Sequence, residues 1–277
     1  MKNISHIKLW QERQPLTSNG IKEDEVYSYQ GGLTEVANVT NTELIIYSPD
    51  DKDNRGIAVI ICPGGGYTKL PITLQGYDFA EWLTSIGITG IVLKYRTPNG
   101  HKKVPIEDVK EAMQYVRNHA GQLTIDPARI GVAGFSVGGH LAAIASNTLL
   151  PDNWHPAFTL LFYPVITMGE HTHQSSRKNL LGESFTEKDI QKYSCENLVT
   201  SNSPTALIFA NDDDSVVSLI NSTMYYDALK KYNIPASLHI FPQGGHAWGI
   251  KGKNASGGDF KDIDMVMRIL KKWLLTN

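Results

Sequence analysis

The chain has 277 residues, of which 41% are hydrophobic and 19% are charged, and its formal net charge is -2. This balance gives no general attraction to nucleic acid or to an acidic membrane surface, so we expect neither as a partner. Cys62 and Cys195 are the only cysteines, which excludes a disulfide framework and a zinc site of cysteines alone. Residues 1–6 lack the apolar run of a signal peptide, and no stretch approaches the length of a membrane span. We therefore expect a cytoplasmic protein.

Strand and helix patterns alternate along the chain after a polar N-terminal extension, 1–40. The extension is predicted to be irregular, to turn at Gly31–Gly32 and to wrap an edge of the fold. Continuous apolar runs indicate strands buried on both faces of a parallel sheet, and apolar residues three and four apart indicate helices. The predicted strands are 43–47, 57–62, 88–95, 130–134, 157–163, 205–210 and 236–241. The predicted helices are 77–83, 106–116, 141–145, 224–231 and 260–274.

This alternation predicts a single α/β domain over residues 1–277, with a mostly parallel central sheet and helices on both faces. The segment 165–203 interrupts the alternation, and we interpret it as a cap-like insertion or pocket wall. Because sites in such sheets lie beyond the carboxyl ends of the strands, the residues that follow the strands are the candidates for chemistry.

Ser136 is the candidate nucleophile. It follows an apolar strand in the pattern Gly134-x-Ser136-x-Gly138, and a helix-forming segment comes directly afterwards. Small residues two before and two after a serine let a sharp strand–turn–helix form without Cβ clashes. The N–H of Val137 would then lie at a helix N-terminus, where it favours a developing negative charge. The alternative is a glycine-rich packing turn.

Three successive glycines, Gly64 to Gly66, follow the predicted strand 57–62. Such a run costs backbone entropy, so it indicates a need for close approach or for free N–H groups. The functional interpretation is an oxyanion loop, and the alternative is a flexible turn.

An acidic cluster and a histidine follow the last two predicted strands. Asp212, Asp213 and Asp214 come after strand 205–210, and His246 comes after strand 236–241 between glycines. An imidazole can take the proton of a serine, and a carboxylate can orient that imidazole. Each of the three aspartates is a candidate at this point, and a cation site is a weaker alternative for the cluster. The order glycine loop, Ser, Asp, His is the one expected of an α/β hydrolase.

These motifs resemble the α/β-hydrolase superfamily, and more closely its bacterial acetylxylan-esterase-like and "sugar hydrolase" carboxylesterases. The resemblance covers nearly all of the chain beyond about residue 40. It implies the α/β-hydrolase fold, a nucleophile at Ser136, a base at His246 and an orienting acid at Asp214. It also implies an oxyanion hole of backbone N–H groups. The motifs are 62–67, 134–142, 176–182, 212–214 and 244–249, and the implied oxyanion residues are Gly65 or Gly66 together with Val137.

Four residues are candidates for binding substrate. Tyr67 and Trp248 flank catalytic positions and can stack on sugars, although either ring can equally belong to the core. His173 and Arg177 lie in the insertion and can bind a polar substrate or be solvated. His140, just after the serine turn, is predicted to be a buried structural histidine. Pro63 stands where many glycine-loop esterases have histidine, and Val137 replaces a common alanine.

The predicted function is a serine esterase that removes short acyl groups, chiefly acetyl, from a small-molecule or oligosaccharide ester. No metal or other cofactor is expected, and the sequence carries no prediction of oligomeric state. An amidase, arylformamidase or peptidase with the same three residues is the enzymatic alternative. A binding protein on the same fold without catalysis is the alternative from another class.

Overall fold

The computed structural model describes residues 3–11, 13–148, 154–253 and 258–276. Beyond residue 40, nearly every predicted strand and helix overlaps a strand or helix of the structure. The strands are β1 (Asn3–Lys8), β2 (Val26–Gln30), β3 (Leu33–Ala37), β4 (Glu43–Ser48), β5 (Ala58–Cys62), β6 (Lys69–Leu70), β7 (Thr89–Lys94), β8 (Ile130–Phe135), β9 (Phe158–Phe162), β10 (Thr205–Asn211) and β11 (Ala236–Phe241). The helices are α1 (Asp78–Ser85), α2 (Val104–Asn118), α3 (Val137–Asn147), α4 (Gln174–Leu181), α5 (Glu187–Tyr193), α6 (Ile220–Lys231) and α7 (Ile263–Thr276).

The large sheet in the described part of the chain has the order β1-β4-β7-β5-β8-β9-β10-β11. All neighbours from β7 to β11 pair in parallel, whereas β4 pairs antiparallel with both β1 and β7. Strands β5 and β7 to β10 are almost wholly buried, as their unbroken apolar runs predict. Consequently β5, β8, β10 and β11 all end at the same edge of the sheet.

Helices cover both faces of this sheet. A Cβ at Gly134 in β8 would meet the carbonyl of Gly138 in α3, whereas the next side chain, Phe135, packs against Phe79 of α1 with ring centroids 5.6 Å apart. Successive strand residues point to opposite faces, so α1 and α3 lie on opposite sides. The predicted mostly parallel sheet with helices on both faces is confirmed.

The N-terminal extension contains strands, so the prediction that it is irregular is wrong. Strand β1 pairs antiparallel with β4 and forms one edge of the large sheet. Strands β2 and β3 form a hairpin that turns at Gly31–Gly32, as predicted, and β3 also pairs with β6. Every residue of β2 is exposed, so the alternating burial that marks a strand in a sequence is absent there.

The insertion 165–203 contains α4, α5 and a 3-10 turn at Cys195–Asn197. It is anchored to the rest of the fold, since the Tyr193 carbonyl lies 2.6 Å from the Nε2 of His140 in α3 and Lys102 pairs with Asp189. The organisation of residues 1–277 as one domain with a cap-like insertion stays a prediction. Among the described helices, none has the length and apolar character that crossing a membrane requires.

Candidate active site

Ser136 lies on the tight turn between β8 and α3. Its backbone has φ 53° and ψ -122°, a conformation that L-residues adopt only when their surroundings impose it. Here the Ser136 N–H donates to the Phe162 carbonyl at 2.9 Å, and its own carbonyl accepts from Gly139 and Val165. These contacts hold the serine at the carboxyl end of β8, where 8% of the residue remains exposed.

The two positions of the serine motif require glycine because neighbouring backbone lies too close to leave room for a Cβ. A Cβ at Gly134 would lie 2.1 Å from the Gly138 carbonyl oxygen, and a Cβ at Gly138 would lie 2.0 Å from the Cys62 carbonyl oxygen. Real Cβ atoms do not come so near to backbone. The motif thus brings the first turn of α3 against the end of β5, and therefore brings Ser136 beside the glycine loop.

His246 contacts both Ser136 and Asp214. Its Nε2 lies 2.8 Å from the Ser136 Oγ, and its Nδ1 lies 2.6 Å from the Asp214 Oδ2. The other oxygen of Asp214 accepts hydrogen bonds from the N–H groups of Val216 and Val217, each at 2.9 Å. The Asp214 side chain is 2% exposed and the His246 side chain 11%. The carboxylate is therefore fixed in place and oriented toward the imidazole.

Asp213 has a different role from its neighbour. Its two oxygens accept hydrogen bonds from the backbone N–H groups of Gly244 and Gly245, so it holds the loop that carries His246. The sequence pattern gave no sign of this contact, because it joins two loops 31 and 32 residues apart. Among the described residues, no group of three or more His, Cys, Asp or Glu side chains is arranged to hold a metal ion.

Trp248 lies in the core, and the prediction that it binds substrate does not fit its position. It is fully buried against Tyr163 and Phe260, with ring centroids 4.8 Å and 4.7 Å away. Tyr163 in turn packs its ring against the His246 imidazole at 4.8 Å. The sequence interpretation missed Tyr163, although it directly follows β9 and so lies at the carboxyl edge of the sheet, where the candidate site residues also lie. Trp248 therefore packs against the residue that contacts His246 and has no exposed surface for a substrate.

The glycine loop lies directly against the serine turn. A Cβ at Gly64 would come within 2.9 Å of the Ser136 Cβ, and a Cβ at Gly65 would come within 1.9 Å of the Lys69 carbonyl oxygen. Among the described residues, the N–H groups of Gly65, Gly66 and Val137 have no hydrogen-bond acceptor in the chain. They are thus available to an anion beside the serine.

Tyr67 also belongs to the core, so the substrate-stacking prediction for it is corrected. The residue is 1% exposed, and its hydroxyl lies 2.9 Å from the Nδ1 of His140. The Nε2 of His140 lies 2.6 Å from the Tyr193 carbonyl, which can only accept, so Nε2 carries the proton and Nδ1 accepts from Tyr67. Burial lowers the pKa of His140 to about 4. His140 is a buried structural histidine, as predicted.

The insertion places His173 near the site, whereas the hydrogen bonds of Arg177 are made to other residues of the insertion. Burial lowers the pKa of His173, the nearby His246 lowers it further, and Asp214 opposes this change. The Nδ1 of His173 lies 2.8 Å from the Ser176 Oγ. Arg177 donates to the carbonyls of Met168 and Gly169 and to the Gln174 side chain. A role for His173 or Arg177 in binding substrate stays a prediction.

This arrangement supplies the parts needed for acyl transfer. A hydroxyl is hydrogen-bonded to an imidazole, the imidazole is hydrogen-bonded to a buried carboxylate, and a loop with unpaired N–H groups packs against the serine turn. The four contributing segments end four strands of one sheet, in the chain order glycine loop, Ser, Asp, His.

A family model described as BD-FAE matches residues 44–229, well over half of the chain. The chain belongs to the BD-FAE family. The matched region begins at β4 and includes the glycine loop, Ser136 and Asp214, whereas His246 lies beyond it. The resemblance to acetylxylan-esterase-like carboxylesterases is confirmed by the relatives.

An acetylxylan esterase of Xylanibacter ruminicola is 37% identical over 237 residues, which cover 84% of this chain and 48% of that protein. The structure of an acetyl ester-xyloside bifunctional hydrolase from Caldicellulosiruptor lactoaceticus is 32% identical, with TM-score 0.79 over 98% of this chain and 96% of that one. An α/β hydrolase from a deep-sea metagenome library shares the fold, with 23% identity and TM-score 0.66 over 91% and 96% of the two chains. The chain spans about half the length of the curated relatives it matches.

Proposed function

We propose that this protein is a serine esterase that hydrolyses short-chain acyl esters, chiefly acetyl esters of carbohydrates. The observation that carries the proposal is the pair of contacts made by His246, 2.8 Å to Ser136 and 2.6 Å to Asp214, beside a loop with free N–H groups. The names of the relatives support the class of reaction, since they are esterases and carboxylic ester hydrolases.

In the proposed mechanism the Ser136 Oγ attacks the ester carbonyl carbon while His246 Nε2 accepts the hydroxyl proton. Asp214 keeps the proton of His246 on Nδ1 and stabilises the imidazolium. The N–H groups of Gly65 or Gly66 and of Val137 hold the carbonyl oxygen as it becomes negative. His246 then returns its proton to the leaving alcohol, and the acyl group stays on Ser136. Water, activated by the same histidine, releases the acid and restores the serine.

The substrate class is proposed from the relatives. By their names, the acetylxylan esterase acts on the esters of acetylxylan, and the acetyl ester-xyloside hydrolase acts on acetyl esters and on xylosides. The partner proposed for this chain is therefore an acetylated small molecule or oligosaccharide. Tyr67 and Trp248 are buried, so sugar recognition must rest on other side chains, and His173 is a candidate because it lies near enough to His246 and Asp214 for their charges to shift its pKa.

The test measures acetate release from acetylated xylo-oligosaccharides and hydrolysis of p-nitrophenyl acetate by the wild type and Ser136→Ala. The substitution is expected to abolish both activities, whereas Ser28→Ala on the exposed strand β2 is expected to keep them. Assaying N-formyl and dipeptide amides alongside separates an esterase from an amidase. Wild-type rates in pure Ser136→Ala would overturn the mechanism, and preference for an amide would overturn the substrate class.

A further inference from the structure

The insertion contacts the glycine loop through one side chain. The Nδ2 of Asn179, in α4, donates a hydrogen bond to the Gly66 carbonyl at 2.8 Å. The two residues are 113 positions apart in the sequence, and both are half-buried. Asn179 therefore joins the segment interpreted as a pocket wall to the loop that carries the candidate oxyanion donors.

The two peptide groups that flank Gly66 are held in different ways. The carbonyl of Gly65 accepts from the N–H groups of Thr68 and Lys69, so the Gly65–Gly66 peptide is held within the turn 65–69, and the turn as a unit is positioned by its contacts with the rest of the fold. Within the described chain, the Gly66 carbonyl finds its donor only in Asn179. Gly66 has φ 63°, and an added Cβ would meet nothing within 4 Å. Because Gly66 has no side chain to pack against the fold, the hydrogen bond from Asn179 is the contact that ties its carbonyl to the insertion.

Asn179 is well placed to act as a rigid anchor. Its backbone carbonyl accepts from the Gly100 N–H at 2.7 Å, which ties the C-terminal turn of α4 to the loop before α2. The next turn of chain ends at Gly182, whose φ of 84° stops the helix. The side chain thus extends from a helix end that is fixed on the body of the fold.

We infer that Asn179 is a positioning residue for the oxyanion loop. By holding the carbonyl of the Gly66–Tyr67 peptide, its amide anchors the turn 65–69 as a unit, and so keeps the N–H groups of Gly65 and Gly66 against the serine turn, where a substrate carbonyl oxygen would lie. The inference rests on the proposed function. Oxyanion donors matter most when negative charge develops, so loss of their alignment reduces kcat much more than it raises KM.

The first experiment compares Asn179→Ala with Asn197→Ala. Asn197 is a matched control because it lies in the same insertion and its amide binds only within that segment, to Gln191. For p-nitrophenyl acetate, Asn179→Ala is expected to lower kcat about tenfold with KM changed less than about twofold. Asn197→Ala is expected to match the wild type, and thermal unfolding of each variant shows whether the fold is intact.

The second experiment uses Asn179→Asp, which keeps the shape of the side chain. An ionised carboxylate cannot donate to the Gly66 carbonyl, whereas a protonated carboxyl can. A half-buried carboxyl that faces the Gly66 carbonyl oxygen is protonated more readily than a free one, so the ratio of kcat for Asn179→Asp to kcat for the wild type is expected to rise as the pH falls from about 7 to about 4.5. Taking the ratio removes every effect of pH that the two proteins share.

The outcomes separate this inference from the proposed function. If the wild type hydrolyses no ester, the proposed function fails first. If the wild type is active, a kcat of Asn179→Ala equal to the wild type overturns the inference, as does a loss confined to KM or an equal loss in Asn197→Ala. If Asn179→Ala does not fold, the Asn179→Asp ratio decides: a rise on acidification supports the inference, and a flat ratio overturns it.

Discussion

The Asp213 carboxylate accepts a hydrogen bond from the Gly245 N–H at 2.8 Å, directly before His246 in the chain. Its other oxygen accepts from the Gly244 N–H at 3.2 Å. The adjacent Asp214 contacts the imidazole of His246 itself. The two successive carboxylates therefore have different roles: Asp213 holds the backbone before His246, and Asp214 holds the imidazole ring of His246.

Replacing Asp213 by alanine is expected to lower kcat about tenfold, because the Gly244 and Gly245 N–H groups before His246 lose the acceptor that orders them. Asp212→Ala is the control, since the Asp212 side chain is exposed beside the same strand end. Steady-state hydrolysis of p-nitrophenyl acetate measures both. Equal rates for Asp213→Ala and the wild type would show that the loop is ordered without this carboxylate.

Replacing Asp214 by asparagine is expected to reduce kcat by about 10³ to 10⁴, because an amide no longer holds the His246 tautomer or stabilises the imidazolium. Circular dichroism and thermal unfolding are expected to stay close to the wild type, since asparagine preserves the shape of the side chain. A loss of less than about tenfold would contradict the role of Asp214.

Replacing Gly138 by alanine is expected to destabilise the fold by at least about 2 kcal/mol, because the added Cβ would lie 2.0 Å from the Cys62 carbonyl oxygen. At Gly121 an added Cβ meets nothing within 4 Å, so Gly121→Ala is expected to stay within about 1 kcal/mol of the wild type. Urea unfolding gives both values. Equal stability of the two variants would contradict the close approach of α3 to β5.

Acid is expected to destabilise the protein through His140. Burial lowers the pKa of this histidine from its usual 6.5 to about 4. Between these values the unfolded chain binds a proton that the folded chain does not, so the free energy of unfolding falls as the pH falls, by up to about 1.4 kcal/mol per pH unit. His140→Gln lacks this titration, and its unfolding free energy in urea is expected to depend less steeply on pH. Identical slopes would contradict the burial of a neutral imidazole.

Much of the fold could be predicted because its buried strands carry local signals. The run 57–62 and the runs around Ile130 and Leu207 are apolar at nearly every position, and they form β5, β8 and β10. The N-terminal strands carry no such signal. Strand β1 depends on the remote partner β4, and the exposed strand β2 depends on its hairpin with β3, so strand pairing and not burial reveals them.

The candidate site was predictable in its residue types and order, and less so in its geometry. Trp248 and Tyr67 flank catalytic positions in the chain, yet tertiary packing turns both rings into the core. The contacts of Asp213 with Gly245 and of Asn179 with Gly66 join segments that are remote in sequence. No periodicity or local motif marks such pairs.

The sequence by itself determined the strand–turn–helix at Ser136, the glycine loop and the order in which the acid and the histidine follow, because each depends on neighbouring residues. Residue pattern left the three adjacent aspartates equivalent and the family resemblance favoured Asp214, but only the tertiary structure shows the contacts by which they differ. Asp214 is directed at His246, and Asp213 is directed at backbone N–H groups. The physical reason is that a side chain's partner is set by how β10 and β11 align in the sheet, and that alignment is a property of the packed fold.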